Sequence, residues 1–159
     1  MIKKGESIIE TVIATAIISI AIVAALALVN YTQKQASYAK ALNQAVDFNT
    51  QATDWLRQEK AVMGWAAYKQ KLSSDGGGGT ATYCLNSLPA DSGAVAGFTT
   101  LSPGPCAGST YISGTLMTRS LTIDLTGIVS GMTTATVTVS WTDTSPRQNT
   151  STVELYQWN

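Results

Sequence analysis

The sequence contains no histidine, only two cysteines and few charged residues, and each shortage excludes a class of function. Without histidine, the chain has no imidazole to serve as a general base or a metal ligand. Lys, Arg, Asp and Glu make up 13% of the residues, about half the usual share of a soluble domain, and the net charge is zero. We therefore do not expect nucleic acid as a direct ligand, because the chain has no excess of positive charge.

Nothing in the sequence provides the parts of a catalytic site. Serines are frequent, but there is no histidine to activate one, and the Gly-x-Ser-x-Gly turn of α/β hydrolases is absent. Cys84 and Cys106 are the only cysteines, and two cysteines without histidine cannot supply the four ligands of a structural zinc site. We expect a protein that is not an enzyme and that carries no cofactor or metal.

An apolar run from Ile8 to Val29 is the strongest pattern near the N-terminus, and Glu10 is its only charged residue. As a helix it would span roughly 33 Å at about 1.5 Å per residue, enough to cross a hydrocarbon core of about 30 Å. Lys3 and Lys4 precede the run. Because positive charge stays on the cytoplasmic side, this asymmetry predicts a single-pass orientation with the N-terminus inside and the rest of the chain outside.

Three interpretations of this segment are open. It is a plain signal anchor, or a secretory signal peptide cleaved at the A-x-A site Ala25-Leu26-Ala27, or a signal cut before the apolar run. Glu10 favours the third, because a carboxylate inside a membrane span costs about 2.5–3.5 kcal/mol at the centre. A plain anchor and a secretory signal have no use for such a residue.

The residues around the apolar run resemble the signal of a type IV prepilin. Lys3, Lys4 and Gly5 are followed by Glu6, then by Glu10, and then by the unbroken apolar run. The resemblance implies that a prepilin peptidase cuts after Gly5 and methylates the new N-terminus at Glu6. Glu6 stands where the family often has phenylalanine, which favours a minor subunit.

Burial explains why the family's acidic residue, here Glu10, would matter. A lone carboxylate in the low-dielectric core of a filament is unfavourable unless it is paired. Cleavage would create a free α-amine at Glu6, and Glu10 of a neighbouring subunit can pair with that amine. We expect the pair to set the axial register of assembly, as a buried polar residue does in a coiled coil.

The resemblance also implies a domain plan and a function. Residues 1–5 would be a cleaved leader, 6–29 a transmembrane and filament-core helix, 30–72 an extramembrane helix broken near residue 64, and 73–159 a β-rich head. The chain would be a structural subunit of a type IV pilus, a cell-surface filament or fimbrium that supports adhesion, motility or DNA uptake.

The same resemblance supplies the expected partners and location. The partners would be other pilin copies, the prepilin peptidase and methyltransferase, and the inner-membrane assembly platform. The chain would lie in the bacterial cytoplasmic membrane before assembly and in a surface filament afterwards. One alternative is a pseudopilin of a type II secretion or competence system. Another, of a different class, is a secreted or membrane-anchored β-rich binding domain that does not polymerise.

Helical patterning continues beyond the apolar run. Residues 30–63 contain no glycine or proline, and apolar residues recur at steps of three and four. We expect this face to pack on the later part of the chain through Phe48, Trp55 and Leu56, and Gly64 to break or kink the helix. The predicted apolar face consists of Ala41, Leu42, Ala45, Val46, Phe48, Ala52, Trp55, Leu56, Val62 and Met63.

The C-terminal half alternates apolar and polar residues, which is typical of half-buried antiparallel strands. Strands are expected around 121–126, 135–142 and 152–155, after a loop over 143–149, with short strands at 80–85 and 97–101. Such a meander is too thin to bury a core alone, so the amphipathic helix must supply the second layer. The predicted class is α+β, which is also the pilin fold.

Cys84 and Cys106 would lie outside the cytoplasm, where disulfides persist. An intramolecular bond would stabilise the connecting loop by about 3 kcal/mol; two free thiols or an intermolecular link are the alternatives. Arg57, Arg119 and Arg147 are scattered in the sequence and are expected on the solvated surface.

Overall fold

The computed structural model of the chain describes residues 4–89, 96–108 and 110–157, with the backbone alone for residues 4–7. Its elements are one helix, a short 3₁₀ helix and four strands. They are α1 (Lys4–Gly76), β1 (Thr80–Cys84), the 3₁₀ helix (Gly97–Thr100), β2 (Thr118–Asp124), β3 (Met132–Thr142) and β4 (Pro146–Tyr156).

The chain divides into two compact units at Ala41. The described residues of the first unit form the N-terminal part of α1. The second unit, Leu42–Asn159, contains the rest of α1 and the sheet. The fold is therefore α+β, with a long N-terminal apolar helix whose later part packs on an antiparallel sheet, as expected.

The four strands form one antiparallel sheet in the order β1-β2-β3-β4. Because side chains alternate between the faces of a strand, each register row belongs to one face. The row Ala81, Ile123, Ala135 and Val153 is buried against the helix. The sequence predicts this alternation, and the structure confirms the meander.

Helix α1 supplies the second layer of the core. The fully buried helix residues Ala52 and Leu56 belong to the same apolar cluster as the inward side chains of the sheet. Trp55 packs against the edge of that cluster, and Phe48 is half-buried. Val46 and Val62, expected on this face, are instead 45% and 54% exposed, because they lie beside the stripe that faces the sheet.

Gly64 kinks α1 at the position where the sequence predicts a break. Its backbone angles are φ 74° and ψ 158°, a region that only glycine adopts without strain. A Cβ added there would meet no atom within 4 Å, so the constraint lies in the backbone and not in crowding. After the kink, Tyr68 and Leu72 are again completely buried in the core.

The segment 97–101 is not a strand, contrary to the expectation. It contains the 3₁₀ helix Gly97–Thr100, whose Phe98 is fully buried. The Phe98 ring lies 5.3 Å, between centroids, from both Tyr68 and Tyr83. The 3₁₀ turn therefore places the Phe98 ring between α1 and β1, where it contacts a tyrosine of each.

The last hairpin is longer than expected. Residues 146–149, predicted to be loop, are part of β4, and Thr142 pairs with Pro146 across a short turn. Arg147, Gln148 and Asn149 lack the apolar alternation of a half-buried strand, but they pair through their backbone with β3. β2 likewise begins at Thr118, three residues before Leu121, where this strand was expected to begin.

Candidate functional site

The N-terminal part of α1 presents an apolar surface to its surroundings. Its large aliphatic side chains are between 49% and 70% exposed. By length and composition this helix is long and apolar enough to cross a membrane. The most exposed members include Ile8, Ile9, Val12, Ile17, Ile20, Val23 and Leu28.

The hydroxyl groups within this apolar segment bond to the helix's own backbone. Thr11 Oγ1 donates to the carbonyl of Ile8 at 2.9 Å, and Ser19 Oγ donates to that of Thr15 at 2.7 Å. Thr15 makes the same kind of bond to Val12. Hydroxyls satisfied in this way remain compatible with an apolar environment, so Glu10 is the one strongly polar group of the run.

Glu10 lies on an exposed part of α1, at the start of this apolar surface. Among the described residues, no hydrogen bond or ion pair to its carboxylate is found. A counter-ion for Glu10 in an apolar environment would therefore have to come from outside the described part of the chain.

Of the predicted processing residues, Lys3 lies outside the described residues. Lys4, Gly5 and Glu6 belong to the backbone of α1, and their side chains are not described. Cleavage after Gly5 and methylation at Glu6 stay predictions.

Buried polar residues on the sheet-facing side of α1 were missed by the sequence reasoning. Glu59 is 1% exposed, and its Oε2 accepts a hydrogen bond of 2.7 Å from the backbone N–H of Phe98. Asn49 donates to the carbonyl of Asn149 on β4 at 3.0 Å. Both residues continue the stripe of Ala52 and Leu56 at spacings of three, which is the signal that could have revealed them.

Lys60 extends this set of contacts to the end of β4. Its ammonium group donates to the carbonyl of Tyr156 and lies 5.8 Å from the centroid of the Trp65 ring. Burial lowers the pKa of Lys60. Asn49 and Lys60 thus both donate to backbone carbonyl groups of β4. These two hydrogen bonds hold this edge strand against the helix.

Arg119 on β2 is 2% exposed, so its expected place on the solvated surface was wrong. Its Nε donates to the carbonyl of Leu85 at 2.8 Å and its Nη1 to that of Phe48 at 2.9 Å. The guanidinium also lies 6.0 Å from the centroid of the Phe48 ring. Burial lowers the pKa of Arg119 to about 10. Arg119 thus joins helix, sheet and connecting loop.

The disulfide Cys84–Cys106 closes the loop between β1 and β2 within one chain, which rules out the alternatives of free thiols and an intermolecular link. The loop also covers the edge of β1, because Gly104 donates its backbone N–H to the carbonyl of Thr82 at 2.7 Å. Among the described residues, no group of three or more Cys, Asp or Glu side chains lies together in a way that could hold a metal ion.

Comparison of this chain with family models, with curated proteins and with solved structures finds no match.

Proposed function

We propose that this chain is a structural subunit of a type IV pilus or a related filament. The observation that carries the proposal is the apolar surface of Ile8–Val29, which the described part of the chain leaves uncovered. An apolar surface of this size needs lipid or other apolar helices around it. A membrane would cover it before assembly, and the helices of neighbouring subunits would cover it in a filament core.

Glu10 is the residue of the apolar helix that would direct assembly. In lipid it would be a cost, and in a helical core it would find the α-amine of a processed neighbour. Cleavage after Gly5 creates that amine, so processing and polymerisation would be coupled. The second unit, Leu42–Asn159, which contains the head and the part of α1 that packs on it, has its own core and would form the outer surface of the filament.

The intact mass of the protein in sheared surface material tests this proposal. We expect a chain that starts at Glu6, about 14 Da heavier because of one methyl group and about 2 Da lighter because of the disulfide. A chain that starts at Leu28 would identify an ordinary secreted domain. An uncut chain that stays in the membrane would identify a plain anchor, and either result would overturn the proposal.

Substitution Glu10→Val separates assembly from membrane retention. We expect the variant to stay in the membrane but to fall in the sheared fraction by at least about a hundredfold, because an unpaired buried amine costs about 3–5 kcal/mol. Thr15→Val is the matched control, since its hydroxyl only bonds to the carbonyl of Val12, and it should assemble normally. Normal assembly of Glu10→Val would contradict the role given to this residue.

A further inference from the structure

The two edges of the sheet differ in what covers them. At the β1 edge, the loop that the disulfide closes lies alongside the strand. Gly104 donates its backbone N–H to the carbonyl of Thr82, and Tyr83 forms an antiparallel bridge with Pro103. At the opposite edge, β4 pairs with β3 alone among the described strands. With 11 residues, β4 is long for a strand that leaves one side unpaired.

Hydrogen bonds at the two ends of the last hairpin show which backbone groups of β4 point away from β3. Gln157 donates its N–H to the carbonyl of Gly131, and Asp143 donates to that of Ser145, and both pairs continue the β3–β4 register. Bonded pairs alternate with non-bonded pairs in an antiparallel ladder, so the odd-numbered residues of β4 bond to β3. The N–H and C=O groups of the even-numbered residues therefore point to the open edge.

Four even-numbered residues in the middle of β4 form the open stretch of this edge. All four are exposed, and no other described residue provides a backbone partner for their N–H or C=O groups. At the two ends the edge is closed, because Pro146 has no N–H and the carbonyl of Tyr156 accepts from Lys60. Only an extended backbone offers donors and acceptors at the repeat of this stretch, so its chemistry fits an added strand. The open stretch consists of Gln148, Thr150, Thr152 and Glu154.

The open stretch is symmetric about Ser151, which makes a second copy of β4 a matching partner. In an antiparallel pair centred on this residue, Gln148 lies opposite Glu154 of the other copy, and the amide can donate to the carboxylate. Thr150 likewise lies opposite Thr152, so two hydroxyl groups meet. Each of these pairs exchanges both of its backbone hydrogen bonds, and no charge faces a like charge.

Neighbouring registers are less favourable because each brings a closed end of the strand into the ladder. The outward groups alternate, so even-numbered residues must stay opposite even-numbered ones. A pair centred on Thr150 would bring in Pro146, which has no N–H. A pair centred on Thr152 would bring in Tyr156, whose carbonyl accepts from Lys60. The register centred between these two threonines is therefore the one that satisfies the whole open stretch.

We propose that two copies of the chain associate through this edge, as a dimer in which the two β4 strands pair antiparallel about Ser151 and join the two sheets. The contact is two-fold and closes on itself, so it differs from a contact that repeats along a filament. It lies in the second unit and uses no residue of Ile8–Val29. The proposal therefore stands or falls independently of filament assembly. Because a single strand edge buries little surface, we expect a dissociation constant of about 10–100 μM.

Charge changes at position 148 test both the contact and its register. The dimer is measured by sedimentation velocity on the full-length chain in detergent micelles. Gln148→Glu faces Glu154 of the other copy twice in the dimer and should weaken association by about fivefold, whereas Gln148→Lys should strengthen it by a similar factor. The double variant Gln148→Glu and Glu154→Gln should restore the parent affinity. Gln58→Glu and Gln58→Lys, on an exposed glutamine of α1, are the matched controls and should change nothing.

A proline in the open stretch tests the backbone pairing itself. Thr152→Pro removes an outward N–H, which an edge strand tolerates because that group makes no bond within the sheet. We expect this variant to be monomeric while its tryptophan fluorescence stays native.

A cysteine on the two-fold axis traps the dimer. Residues opposite each other in a non-bonded antiparallel pair have Cα atoms about 4.5 Å apart, which a disulfide can bridge. Ser151→Cys should therefore form a covalent dimer under mild oxidation, and peptide mapping should find the bond between the two copies of position 151. Ser140→Cys is the matched control, because Ser140 is also half-buried but lies on β3, away from the edge.

Three results would each overturn the proposal. The first is a chain that stays monomeric up to about 0.5 mM, well above the expected dissociation constant. The second is association that Thr152→Pro and both changes at Gln148 leave unaltered, which would place the contact elsewhere in the chain. The third is a monomeric chain whose β4 edge instead takes up a synthetic extended peptide of alternating valine and threonine, which would assign the edge to another protein.

Discussion

The two parts of α1 are both rich in apolar residues, yet they differ completely in what covers them. Ile17 is 63% exposed and Leu26 58%, whereas Ala52 and Leu56 are fully buried under the sheet. The second part is stabilised within its own chain, and the first part is left uncovered by the described residues. We infer that the second part of α1 contributes to the stability of the head. The apolar surface of the first part does not, because it is available for contacts outside the chain.

The largest expected effect on folding comes from Leu56→Ala. Removing this buried side chain should lower the free energy of unfolding by about 2–5 kcal/mol, because both transfer energy and packing are lost. Urea unfolding of the full-length chain in micelles, followed by tryptophan fluorescence, measures the change.

Two controls sharpen the comparison between the parts of α1. Val62→Ala removes an apolar side chain from the exposed face of the second part, and Ile17→Ala removes one from the first part. Both should leave the unfolding free energy of the head within about 0.5 kcal/mol of the parent value. A loss at Ile17 as large as at Leu56 would mean that the head depends on the first part of the helix.

The sequence predicts those features that depend on periodicity and on residue type. Steps of three and four identify the helix and place Leu56 in its buried stripe. Period-two alternation identifies the inner strands. Val137 and Val139, for example, lie on the same face of β3, and both are fully buried. Glycine at position 64 marks the kink because few other residues tolerate its backbone angles.

The remaining features depend on contacts between distant residues, which periodicity does not contain. The spacing of three from Leu56 places Glu59 on the buried stripe of α1, but the partner of its carboxylate, the backbone N–H of Phe98, comes from a distant turn of the chain. Arg119 is buried because the carbonyls of Leu85 and Phe48 meet at its guanidinium group. The first residues of β4 are polar because they belong to an edge strand, and backbone pairing alone defines them.

Loss of the disulfide should have the next largest effect. The double variant Cys84→Ser and Cys106→Ser should destabilise the head by about 3 kcal/mol, because the unfolded chain regains the freedom of this loop. Urea unfolding of the oxidised parent, the reduced parent and the double variant checks this expectation. Membrane retention, which the proposed function assigns to the first part of α1, should not change. Equal stability of all three forms would show that other contacts alone hold the loop.

Substitution at the kink should have a smaller effect. Gly64→Ala should destabilise the head by about 1–3 kcal/mol, because an alanine is strained at this positive φ although the space around it is open. The expected relaxation is a straighter helix that withdraws Tyr68 and Leu72 from the core. Gly108→Ala is the matched control, since that position is open and its φ is not in the left-handed region. Similar unfolding free energies for both variants would contradict the need for a kink.

The smallest expected effect lies where α1 ends and β1 begins. Asp75 accepts hydrogen bonds from Lys71 and from the Tyr83 hydroxyl, each at 2.8 Å. Burial by itself raises the pKa of Asp75, but these bonds outweigh it and hold the pKa below its ordinary value. Asp75→Asn should therefore lower the unfolding free energy at pH 7 by about 1 kcal/mol.

The pH dependence of this difference has a definite sign. Because the folded state holds the pKa of Asp75 below that of the unfolded chain, its contribution is complete above the unfolded value of about 3.9. It is lost as the pH falls through the lower, folded value. Unfolding curves of the parent chain and Asp75→Asn should thus differ at neutral pH and converge in strong acid. A difference that persists unchanged in acid would mean that Asp75 acts through packing, and the helix end would then be held by shape and not by charge.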